Sequence, residues 1–214
     1  MSPDLAEKLR LFVSEHMRNA DAGHDLFHVL RVVKNAEKIL RTEKADADTV
    51  LLAAWLHDIA DAKFHNGNEE LGPRLADAFM RENGIDAERR RHVVKIIRYM
   101  SFKNSFGHQS FHSPELHIVR DADRLDAIGA IGIARAFHFG GFKNNPIYDP
   151  DAPLEPVSDA SEYKKYDRST IHHFYDKLLK LKNMMHTPTA RKMAEERHAF
   201  MMAFLERFFV EWDI

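Results

Sequence analysis

The stretch TVLLAAWLHDIADAKFH, residues 49–65, decides how this chain is read. Val50 to Leu56 put apolar side chains on every face of a helix, and a helix apolar all round is a buried one. The run ends on the doublet His57-Asp58, so both side chains arrive near the core. Asp61, Lys63 and His65 follow at once. A buried carboxylate needs a partner or a metal to offset its lost hydration. The alternative is a His-Asp pair just past a helix end, in solvent, and the doublet alone does not separate the two.

Two further segments bear on the choice. In GHDLFHVLRVVKNAEKIL, residues 23–40, His24, His28, Arg31 and Asn35 fall within a narrow arc of one helix. His28 borders Val32 and Ile39 at the edge of the apolar arc, which predicts a half-buried imidazole. His24 and His28 are four residues apart, a spacing that lets two imidazoles share a metal. A polar stripe facing solvent is the competing reading. In HIVRDADRLDAIGAIGIA, residues 117–134, a helix at 100° per residue gathers Leu116, Val119, Ala127, Ala130 and Ala134 into one stripe. Asp123 falls at its centre, while Asp121 and Asp126 point elsewhere. The expectation is that Asp123 is the buried acid, as a ligand or in a salt bridge to Arg31 or Arg124. Taken in order, His28, His57, Asp58 and Asp123 offer two imidazoles and two carboxylates. That donor set suits Mn²⁺, Fe²⁺, Co²⁺, Ni²⁺ or Zn²⁺ better than Ca²⁺.

The rest of the chain reads as helix. Ser2-Pro3, Ser113-Pro114 and Thr187-Pro188 each pair an N-cap residue with proline at the first helical position. Asp25 and Asp46 are further caps, and Gly84 is a helix stop. Helices are expected near 3–18, 25–42, 46–59, 68–83, 86–101, 114–126, 127–139, 168–186 and 188–212, with no alternating strand pattern. One region, 140–167, holds four of the eight prolines and reads as a long loop.

Composition closes off other classes. A net charge of -2 leaves no basic footprint for a nucleic-acid polymer. The absence of cysteine excludes disulfides and thiolate metal sites and permits a cytoplasmic location. Neither a signal peptide nor an apolar run long enough to span a bilayer is legible, so no membrane partner is expected. The expected protein is a single domain over residues 1–214, with its core at about 20–140 and C-terminal helices at about 168–212.

On these motifs, with IIRYMSFKNSF and the C-terminal HHFYDKLLKLKNMMHTPTARKMAEERHAFMMAFLERFFVEW, the sequence resembles the HD-domain superfamily of metal-dependent phosphohydrolases. The likeness extends over nearly the whole chain and is closest to a small bacterial branch of nucleotide pyrophosphohydrolases. The resemblance implies an all-α, compact helical bundle with the Pro-rich loop as an elaboration. It implies one divalent ion, Mn²⁺ first among the transition metals or else Mg²⁺, held by His28, His57, Asp58 and Asp123. It further implies that Asp61 handles the attacking water, although a turn cap or an ion pair with Lys63 competes for that residue. Some relatives are binuclear and use two more histidines in the interval that here contains His92, His108, His112 and His117. One metal is the expectation for this chain.

Hydrolysis at phosphorus needs positive charge on the non-bridging oxygens. Arg31, Lys63 and Lys103 are the candidates, with His24 as a further phosphate contact. The expected reaction cleaves a (deoxy)nucleoside triphosphate into a nucleoside monophosphate and pyrophosphate. Alternatives are a nucleotidase or phosphodiesterase on the same fold, or a non-catalytic metal- and nucleotide-binding sensor. A small-molecule nucleotide is the expected partner, and a homodimer is compatible with the sequence.

Overall fold

The computed structural model describes residues 1–18, 25–60, 67–100, 111–152, 154 and 169–212. Among these residues the regular elements are helical and no strand occurs, so the fold class is all-α. Contacts divide the chain into two compact units, Met1–Asp123 and Arg124–Ile214.

The first unit comprises α1 (Pro3–His16), α2 (Leu26–Leu40), α3 (Ala47–Leu56), α4 (Leu71–Glu82), α5 (Ala87–Tyr99) and most of α6 (Pro114–Asp126). Helix α3 is its centre, packed against α1, α2 and α5. Val50, Leu52, Ala53, Ala54 and Leu56 are fully buried, as an all-round apolar helix requires. Side-chain caps set the helix starts by satisfying amides that have no partner in the first turn. Ser2 Oγ accepts from the Leu5 amide at 3.2 Å, Asp25 from His28 at 2.8 Å, Asp46 from Thr49 at 2.7 Å and Ser113 from Leu116 at 3.1 Å. Helix α4 stops where Gly84 takes a φ of +74°, a left-handed conformation that other residues adopt at a cost. The Ile85 amide then reaches back to the Met80 carbonyl at 3.0 Å, completing the C-terminal cap.

The second unit comprises α7 (Gly129–Phe142), α8 (Thr170–Asp176), a 3₁₀ segment (Leu178–Met184) and α9 (Pro188–Trp212). The helix expected over 168–186 is not continuous. It breaks at Lys177 (φ -137°, ψ -58°) and proceeds as 3₁₀. At three residues per turn, Leu178 and Leu181 stack on one face, and both are buried. The α-helical spacing of the apolar residues did not reveal this change of pitch. Helix α7 runs to Phe142, three residues past its expected end. Its Gly140 lies so close to the Thr170 side chain that a Cβ would collide with it. The backbone after α7 is tied to the start of α8, with Thr170 and Ile171 amides donating to Pro146 and Ile147 carbonyls at 2.9 and 3.1 Å. Tyr148 enters an aromatic cluster with Phe208, Phe209 and Trp212 at the end of α9, which employs it in packing.

Candidate metal centre

Three structural devices bring the doublet to its partners. The Asp25 cap fixes the His28 amide as the third residue of α2, so the imidazole is carried on the first turn of that helix. The apolar α3 ends at Leu56 and leaves His57 as its C-cap in an α-helical backbone conformation. Asn35, two turns after His28 on α2, donates from Nδ2 to the Ala122 carbonyl at 3.1 Å and holds α6 at the residue before Asp123. Asn35 is buried. Its spacing from His28 is visible in the sequence, but its role becomes clear only once α6 is placed.

His28, His57 and Asp58 each offer one ligand atom, and these atoms lie within 4.8 Å of one another. Among the described residues theirs is the group of three or more histidines and acids that can hold a metal ion. His28 is 1 % exposed, so it is fully buried and not half-buried as its position at the edge of the apolar arc suggests. The two imidazoles meet edge-on, with ring centroids 5.4 Å apart. Asp123 Oδ1 lies 3.5 Å from His28 Nε2 and 4.0 Å from His57 Nε2.

The expected reason for Asp123 being there is wrong, although its neighbours are the expected ones. Asp121 and Asp126 are the fully buried acids, while the Asp123 side chain is 38 % exposed. The expected stripe requires one helical phase from Leu116 to Ala134. The helix ends at Asp126, and Gly129 restarts it with a φ of +78°. The phase is lost across the break, and Ala130 and Ala134 are exposed. Asp126 accepts from Arg135 at 2.7 Å. Of the proposed salt-bridge partners for Asp123, Arg124 donates to the Met184 carbonyl.

The chemistry of the donors fits a divalent ion. The His57 Nδ1–H donates to the Ala54 carbonyl at 2.9 Å, which leaves Nε2 with its lone pair facing Asp123. Among the described residues, His57 Nε2 and Asp58 Oδ2 are buried with no hydrogen-bond partner. Orphaned polar atoms of this kind cost about 1–3 kcal/mol each when left empty. Two such atoms beside a third buried donor are expected where a cation completes them.

Other candidates fare differently. Arg31 is half-buried on α2, three residues beyond His28. Asp61, His24, Lys63 and Lys103 lie outside the described residues, as does His108. His92, considered for a second metal, sits in α5 with Nε2 3.2 Å from Ser113 Oγ and 3.6 Å from Glu115 Oε2. Glu115 in turn accepts from the Asp46 amide at 3.0 Å, so this set links the starts of α3 and α6. His112 and His117 face each other at 3.5 Å.

This arrangement of a buried histidine on one helix, a His-Asp doublet closing the next and an aspartate approaching both is matched by the HD domain family model over residues 26–128. The chain belongs to the HD-domain superfamily of hydrolases. The Bacillus subtilis protein YpgQ is 38 % identical over 98 % of this chain and 93 % of its own length. Its crystal structure in complex with ADP superposes with a TM-score of 0.74 at 34 % identity, covering 96 % of this chain and 97 % of that one. An HD-superfamily hydrolase from Bacillus thuringiensis aligns at a TM-score of 0.77 with 38 % identity, over 98 % and 97 % of the two chains. A protein from Lactobacillus plantarum aligns at 0.82 with 34 % identity, over 99 % and 98 %. No helix among the described residues is long and apolar enough to cross a membrane.

Proposed function

We propose that this HD-superfamily hydrolase is a metal-dependent (deoxy)nucleoside triphosphate pyrophosphohydrolase that releases a nucleoside monophosphate and pyrophosphate. The observation that carries the metal requirement is the pair of buried, unpartnered ligand atoms, His57 Nε2 and Asp58 Oδ2, beside His28. The nucleotide is supported by the relative YpgQ, whose crystal structure is in complex with ADP. In this reading His28, His57, Asp58 and Asp123 hold one divalent ion, with Mn²⁺ favoured. Such an ion supplies a nucleophile from water near neutral pH and neutralises charge on the phosphoryl oxygens.

The chain's own residues do the rest. The Ala54 carbonyl keeps the His57 proton on Nδ1, so Nε2 stays a donor atom. Arg31, Lys63 and Lys103 bind phosphate oxygens, His24 adds a phosphate contact, and Asp61 orients or deprotonates the attacking water. A cytoplasmic location and a small-molecule partner go with this reading.

The test is a panel of nucleoside mono-, di- and triphosphates and cyclic nucleotides, incubated with metal-stripped protein plus Mn²⁺ and resolved by ion-exchange chromatography. Monophosphate and pyrophosphate in equal amounts are expected from triphosphates. Asp58→Ala is expected to lower turnover at least about a hundredfold. Inorganic phosphate from a monophosphate, an opened cyclic ester, or binding without turnover would each replace this reading by a nucleotidase, a phosphodiesterase or a sensor.

A further inference from the structure

Helix α3 begins with a cap that its own residues only half complete. Asp46 Oδ1 accepts from the Thr49 amide at 2.7 Å, the first half of a capping box. The second half takes a glutamate or glutamine at the third helical position, whose side chain reaches back to the amide of the cap residue. Thr49 occupies that position. The Asp46 amide donates instead to Glu115 Oε1 at 3.0 Å, from the first turn of α6. Glu115 thus caps a helix that is not its own. Its side chain is 11 % exposed, and Oε2 lies 3.6 Å from His92 Nε2. The same imidazole nitrogen is 3.2 Å from Oγ of Ser113, which caps α6. Two helix N-termini therefore meet at one carboxylate, where their dipoles favour negative charge. Arg89, on α5 like His92, braces the Asp46 carboxylate at 3.4 Å.

Helices α3 and α6 meet again at their other ends, where His57 Nε2 and Asp123 Oδ1 are 4.0 Å apart. They therefore run side by side in one direction. Between these junctions α3 packs on α1, α2 and α5, and among the described residues its backbone makes no comparable contact with α6. Burial of Leu116, Ile118 and Val119 holds α6 in the core. Apolar burial is non-directional, whereas a hydrogen bond fixes both a length and an angle. The lengths agree with a tie at the start. The eleven residues from Asp46 to His57 rise about 16.5 Å, and the eight from Glu115 to Asp123 about 12 Å. The glutamate side chain, tilted toward the N-terminus of α6, accounts for the difference of about 4.5 Å.

We infer that Glu115 is a positioning residue for the metal centre, setting the offset between α3 and α6 that places Asp123 against the His57-Asp58 doublet. This role rests on the proposed function, in which Asp123 joins His28, His57 and Asp58 around one divalent ion. In Glu115→Gln a carboxamide oxygen at the same reach accepts the same bond. Glu115→Asp is one methylene short, and Glu115→Ala has no acceptor.

Calorimetric titration of the metal-stripped full chain with Mn²⁺, and the visible spectrum of the Co²⁺-loaded chain, test the assignment. Glu115→Asp and Glu115→Ala are expected to weaken Mn²⁺ binding about ten- to hundredfold and to change the Co²⁺ bands. Glu115→Gln is expected to restore both to near the wild-type values. In an Asp123→Ala background, Glu115→Asp is expected to cost no further affinity, because the group it positions has gone. A Glu115→Asp variant with a lower urea midpoint but wild-type affinity and spectrum would make the residue a helix tie alone and overturn the inference. So would an equal loss of affinity in the Asp123→Ala background, or a Glu115→Gln variant as weak as Glu115→Ala. Where Glu115→Ala does not fold, Glu115→Asp decides. A wild-type chain that binds no metal defeats the proposed function and this role with it, whereas a metal-binding wild type matched by Glu115→Asp defeats this role alone.

Discussion

At the scale of single residues, two buried ligand atoms without hydrogen bonds set the energetics of the site. Among the described residues His57 Nε2 and Asp58 Oδ2 are buried without a hydrogen bond, a penalty that a bound cation would remove in the proposed reading. Binding to the folded state alone stabilises by about 2.7 kcal/mol when free metal is a hundred times its dissociation constant. Thermal melting is therefore expected to shift upward with Mn²⁺ and downward with a chelator. In Asp58→Ala that shift is expected to vanish while the metal-free melting temperature stays level or rises, because an unsatisfied buried oxygen has gone. A wild-type midpoint indifferent to both additions would count against the site. Asn35 acts one layer out. Asn35→Leu deletes the bond to the Ala122 carbonyl and is expected to cost about 1–2 kcal/mol in denaturant unfolding. It is also expected to weaken metal binding, since Asp123 is the next residue. Equal metal affinity in that variant would show that Asn35 only packs.

At the scale of elements, the sequence spoke most clearly where a local rule applies. Ser2, Asp25, Asp46, Ser113 and Thr187 each accept from the amide three residues on, as cap chemistry requires. The apolar α3 was legible as buried for the same reason, because no face of it tolerates water. The failures arise where two elements meet. Asp123 was placed by a phase that the Gly129 restart cancels, and the change to 3₁₀ after Lys177 depends on packing of Leu178 and Leu181. Ser113 has two tasks, capping Leu116 and meeting His92. Ser113→Ala is expected to cost about 1 kcal/mol, read as a lower urea midpoint with an unchanged slope. Helix α8 contributes a pH dependence. Burial, with the Lys177 charge nearby, lowers the His173 pKa to about 4. The unfolded chain takes up a proton at this site below about pH 6.5, and the folded chain resists until about pH 4. Stability is therefore undiminished above pH 6.5 and falls as the pH drops through that window, by at most about 3 kcal/mol. His173→Gln is expected to flatten this slope in melts recorded between those values. An unchanged slope would place the acid sensitivity elsewhere.

At the scale of the whole molecule, the fold class and the identity of the site's neighbours were readable from the chain, while the depth of each acid was not. His28, His57, Asp58 and Asp123 are distant in sequence, yet every one of them sits at or beside a helix end that caps or breakers define locally. Their convergence then follows from burying α3 among α1, α2 and α5 and from the Asn35 bond to α6. The central claim is that one divalent ion occupies the pocket formed by the two imidazoles and the doublet aspartate. Anomalous diffraction from crystals grown with Mn²⁺ measures this directly. The account predicts a single strong peak within bonding distance of His28 Nε2, His57 Nε2 and an Asp58 carboxylate oxygen. A map with no peak there, or with its peak on other side chains, would contradict it.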